Sequence, residues 1–74
     1  RLALQPGDVL YFLKADRPIP DDPLWEADGV RYWPWHTGMY VGEGEVLHAS
    51  PTHGVVREPL LNVDYDGLYV TRLP

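Results

Sequence analysis

The chain has 74 residues, 45% of them hydrophobic, with three Trp and five Tyr, which fits one globular domain or part of one and excludes a disordered chain. A net charge of −5 without a basic run argues against nucleic acid and anionic membranes as partners, and no apolar run is long enough to span a membrane. Cysteine is absent, so these residues supply no disulfide, no cysteine-based zinc site and no thiol nucleophile.

The first element is a lead-in, Leu2-Ala3-Leu4-Gln5, closed by a Pro6-Gly7-Asp8 turn. Val9-Leu10-Tyr11-Phe12-Leu13 follows, a continuous apolar run too short for a helix, and it predicts a strand buried on both faces. Residues 14–35 read as a long irregular loop, because Pro18, Pro20, Pro23 and Pro34 interrupt hydrogen bonding and Asp16, Asp21, Asp22 and Asp28 favour water. Trp25 reads as a residue pinning this loop to the body. Trp33 and Trp35, nearest His36, read equally as pins or as a rim that contacts a ligand.

Residues 36–50 predict a hairpin around Gly42-Glu43-Gly44. A three-residue loop makes Val41 face Glu45, Tyr40 face Val46, Gly38 face His48 and His36 face Ser50. Alternation then gathers His36, Gly38, Tyr40, Val46, His48 and Ser50 on one face, with the two histidines diagonal across Gly38. A two-residue loop would slip the pairing by one and separate them. After a turn at Pro51-Thr52-His53-Gly54, Val55-Val56-Arg57-Glu58 is a strand ended by Pro59, residues 60–67 are irregular, and Leu68-Tyr69-Val70-Thr71-Arg72 is a last strand. The expected fold is mainly β: a small antiparallel sheet or half-barrel of about five strands, in one partial domain over residues 1–74.

Four pieces resemble the C-terminal half of an NlpC/P60 cysteine peptidase domain. They are Pro6-Gly7-Asp8-Val9-Leu10-Tyr11-Phe12, His36-Thr37-Gly38-Met39-Tyr40-Val41-Gly42, Val46-Leu47-His48-Ala49-Ser50 and Gly54-Val55-Val56, in the family's order. The resemblance implies the β half of a papain-like α+β fold, with His36 as general base and His48 as the residue orienting it. It further implies a partner: a helical N-terminal half carrying the nucleophilic Cys, without which this chain is inactive. The implied substrate is a bacterial cell-wall peptide and the implied location the cell envelope or the exterior.

An imidazole near a thiol generates the reactive thiolate, and a third group fixes the tautomer of that imidazole. Trp33, Trp35, Tyr40 and Ser50 are the candidate substrate-contacting residues. Asp8 reads as a turn former, His53 as an exposed turn residue, and Arg72 as the partner of an acidic neighbour. The histidine spacing does not suit zinc, so no metal and no cofactor are expected. The alternative function is an SH3-like, non-catalytic module that grips a peptide or glycan with Trp25, Tyr32, Trp33 and Trp35.

Overall fold

The computed structural model describes residues 3–17 and 22–73. Leu2, Pro18, Pro20 and Asp21, read above as parts of the lead-in and the loop, lie outside the described residues. The fold is mainly β, as expected: one open antiparallel sheet of six strands, β1 (Val9–Ala15), β2 (Trp25–Ala27), β3 (Val30–Gly42), β4 (Glu45–Ser50), β5 (Gly54–Pro59) and β6 (Gly67–Thr71). The strand order is β5-β4-β3-β1-β6, with β2 also on β3. A single 3-10 turn (Leu60–Asn62) is the helical element among the described residues, and none of their helices is long and apolar enough to cross a membrane.

β3 is the axis of the sheet. Along one edge it pairs with β1; along the other it pairs with β2 at its start and β4 at its end. The segment expected to be an irregular loop therefore contains a hairpin. Asp28 and Gly29 both have positive φ (52° and 78°), the two-residue geometry whose twist matches the flanking strands. Proline is tolerated here because Pro34 sits beside a bulge. Phe12 pairs with His36 but Leu13 with Pro34, so Trp35 is the extra residue on β3.

The first strand is not equally buried on its two faces. Leu10 and Phe12 are fully buried and form the core with Val46, covered by Leu4, Tyr40, Leu60, Val63, Tyr65 and Leu68. Burying each of these three large side chains is worth about 1.5–3 kcal/mol. Val9 and Tyr11, which point the other way, stay half-buried, and their neighbours Met39 and Leu47 are exposed. On that second face the cover is partial: Leu13 is buried near Tyr32 and Gly67, while Val9 and Tyr11 are not.

Asp8 is a structural anchor as well as a turn former. Its carboxylate is buried and accepts hydrogen bonds from Arg72 Nε (2.7 Å), Arg72 Nη2 (2.7 Å) and the Gln5 N–H (2.9 Å). Arg72 also donates to the Ala3 carbonyl, and Gly7 and Asp8 exchange backbone hydrogen bonds with Tyr40. Lead-in, β3 and the end of β6 are tied at one point.

The Arg72 hydrogen bonds, and after them the Gln5 N–H, pull the Asp8 pKa down to about 2 from 3.8. A depressed carboxylate stabilises the fold fully above its unfolded pKa, and that contribution is lost as pH falls from 3.8 toward 2. Urea unfolding midpoints measured across this window will fall more steeply for the wild type than for Asp8→Asn; parallel slopes would contradict the assignment.

Candidate active site

The hairpin joining β3 to β4 reaches two of the four expected pairs, Tyr40 with Val46 and Gly38 with His48, by a different route, and its ladder ends before His36 and Ser50. Gly42, not Val41, pairs with Glu45, and the loop is the two-residue turn Glu43-Gly44, both with positive φ (56° and 73°). A register shift between Tyr40 and Gly42 absorbs Val41, so Tyr40 still pairs with Val46 and Gly38 with His48. Turn and bulge together restore the parity that a two-residue loop alone would have broken.

That parity brings the histidines together. His36 Nε2 lies 2.7 Å from His48 Nδ1, with the rings nearly perpendicular (83°) and their centroids 5.0 Å apart. Edge-on rings allow the nitrogens to meet in line. His36 is flanked by Phe12, stacked at 5.6 Å, and by the bulged Trp35 at 5.8 Å. The space between the histidines exists because position 38 has no side chain. A Cβ there would lie 3.2 Å from His48 Cβ, 3.2 Å from the Leu47 carbonyl oxygen and 3.3 Å from the Phe12 ring.

Glu58, unmarked in the sequence reading, faces the pair from β5. Its Oε2 is 3.2 Å from His48 Nε2, but off the N–H direction, so this buried nitrogen has a charged neighbour without an in-line hydrogen bond. Its position was countable from the sequence. A three-residue turn at 51–53 sets Ser50 opposite Gly54, hence His48 opposite Val56 and Val46 opposite Glu58.

Two clefts meet at His36. One, of about 650 Å³, is lined by Trp35, both histidines, Ser50, Glu58 and Asp64 among others. The second, of about 620 Å³, includes Tyr11, Trp35, His36, Thr37 and Tyr69.

The four candidate contact residues separate. Trp35 borders both clefts and is half exposed, with the Lys14 ammonium 5.1 Å from its ring centroid. Ser50 lines the histidine cleft, where its Oγ accepts the Thr52 and His53 N–H groups at 3.3 Å. Trp33 is buried in the sheet's packing and lines neither cleft, and Tyr40 packs on the core while its hydroxyl accepts the Gly44 N–H. His53 is exposed in its turn, and Trp25 leans on Tyr69 with centroids 6.3 Å apart. Among the described residues, no three His, Asp or Glu side chains are grouped to hold a metal ion.

Burial, and after it the neighbouring His48, lowers the His36 pKa from 6.5, which keeps the imidazole neutral near neutral pH. The chain matches no protein-family model, no curated protein and no solved structure.

Two outcomes follow from this geometry. In an NMR titration, His36 will titrate below 6.5; in His48→Asn it will move back up only in part, because burial is the larger cause. Full return to 6.5 would contradict that order. Gly38→Ala will cost about 1–3 kcal/mol in chemical denaturation, since backbone and ring must shift to admit the methyl group. An unchanged midpoint would mean that the close approach at Gly38 is not real.

Proposed function

We propose that this chain is the β-sheet half of a Cys–His amide hydrolase resembling the NlpC/P60 peptidases. The observation that carries the reading is the 2.7 Å contact between His36 Nε2 and His48 Nδ1 in an open cleft. It occupies one nitrogen of His36 and leaves the other without a hydrogen bond among the described residues. A neutral imidazole so held, with one free nitrogen, is what a general base requires.

In this reading His36 is the base and His48 the residue that orients it. The thiol comes from a cysteine outside these 74 residues, because none is present within them. The thiol proton passes to His36 Nδ1 as sulfur bonds to the amide carbonyl carbon. The carbon–nitrogen bond then breaks and the amine leaves with the proton from His36. Water, deprotonated by His36, cleaves the thioester and regenerates the thiol. Trp35 and Ser50 border the substrate, for which the resemblance suggests a bacterial cell-wall peptide at the cell envelope or outside the cell.

The cysteine must reach His36 from the face of the sheet that carries both histidines, where the cleft of about 650 Å³ opens. Met39, Leu47 and Val55 are exposed on the opposite face, away from the histidines. The cleft that reaches His36 beside Tyr11, Trp35 and Thr37 lies toward the β1 side of that sheet.

The test is amide hydrolysis of peptidoglycan stem-peptide fragments by the natural polypeptide that carries this sequence. Hydrolysis should be blocked by iodoacetamide and reduced about 10²–10⁴-fold by His36→Ala. The 74-residue chain alone should be inert. Thiol-independent hydrolysis by that chain, or no dependence on His36, would overturn the reading.

A further inference from the structure

The contact between the histidines does not by itself decide which nitrogen carries the proton. Two neutral arrangements satisfy it. In one, His48 Nδ1–H donates to His36 Nε2, and His36 then carries its own proton on Nδ1 and cannot act as a base there. In the other, His36 Nε2–H donates to His48 Nδ1, and the His36 Nδ1 lone pair is free. The choice is made at the far nitrogen of His48, since a neutral imidazole bears one proton.

That nitrogen faces Glu58. In the first arrangement a lone pair on His48 Nε2 would meet the carboxylate oxygen at 3.2 Å, which is repulsive. In the second, an N–H meets it, which is attractive, and a modest rotation of the carboxylate completes the bond the buried nitrogen lacks. The His48 side chain is 10% exposed and that of Glu58 31%, so solvent weakens this preference only in part.

Among the described residues, no other charged group competes for the position. Asp64 borders the same cleft, but its side chain is 86% exposed and paired with Lys14 at 2.8 Å, which lowers its pKa. Lys14 itself lies over Trp35 and is engaged by Asp64. From β5, Arg57 pairs with Glu45 at 2.6 Å on a separate part of the sheet.

We propose that Glu58 is a positioning residue: its carboxylate keeps the proton of His48 on Nε2, which keeps the proton of His36 on Nε2 and leaves His36 Nδ1 unprotonated. The purpose of this relay rests on the hydrolase reading; its existence does not. Three strands contribute one member each, His36 from β3, His48 from β4 and Glu58 from β5.

The tautomers are directly readable from imidazole nitrogen shifts in long-range proton–nitrogen spectra, recorded at alkaline pH where both rings are neutral. The wild-type chain is expected to show Nε2–H on both histidines. Glu58→Ala should convert both from one dominant tautomer toward a mixture, whereas Glu45→Ala, which removes an equal charge from the same sheet, should leave them unchanged. Nδ1–H on either histidine of the wild type would overturn the relay without reference to any variant. So would unaltered tautomers in a folded Glu58→Ala. Because no substrate is present, an inactive polypeptide with both tautomers as expected would remove the hydrolase reading alone.

Discussion

The absence of a side chain at Gly38 is the constraint on which the rest of this site depends. Gly38 pairs with Leu10 on one side and His48 on the other, at the centre of the sheet. A Cβ there would press on Phe12, on His48 and on the Leu47 carbonyl together. The gap lets His36, one pair along β3, reach diagonally to His48. The same gap lets Phe12 pack beneath, so the histidines rest on the core and not on a mobile rim.

Two bulges place the side chains around that gap. The bulge near Val41 corrects the parity of the hairpin, and the bulge at Trp35 throws an indole out beside His36 while Phe12 and His36 stay paired. Both are local departures from regular pairing, and both sit on β3, the strand that every part of the site leans on. The Asp8–Arg72 anchor then fixes β1, β3 and β6 to each other at the start of β1, while the Trp35 bulge faces its middle. The sheet is therefore held at its margin and shaped at its centre. Its other face leaves Met39, Leu47 and Val55 exposed and buries Leu13.

Much of this was readable from residue order. Alternation over residues 36–50 predicted that the histidines share a face, and the pairing of Gly38 with His48 is as counted, although a turn plus a bulge replaced the expected loop. Local pattern did less well where two signals conflicted. Four prolines outweighed Asp28-Gly29 and hid the β2–β3 hairpin, because proline's effect depends on whether its position faces a ladder or a bulge. Local pattern does not mark Glu58 for a different reason: its role comes from pairing β5 onto β4, a step beyond the hairpin. The Asp8–Arg72 pair joins residues far apart in sequence, so only the closed sheet brings it together.

A direct hydrogen bond joins His36 Nε2 to His48 Nδ1. A nitrogen–nitrogen scalar coupling across that bond, measured on the uniformly labelled chain with both rings neutral, tests it most directly. A resolved coupling between these two nitrogens is predicted. Slowly exchanging, sharp imidazole signals with no coupling between them would mean that the two rings are not hydrogen-bonded.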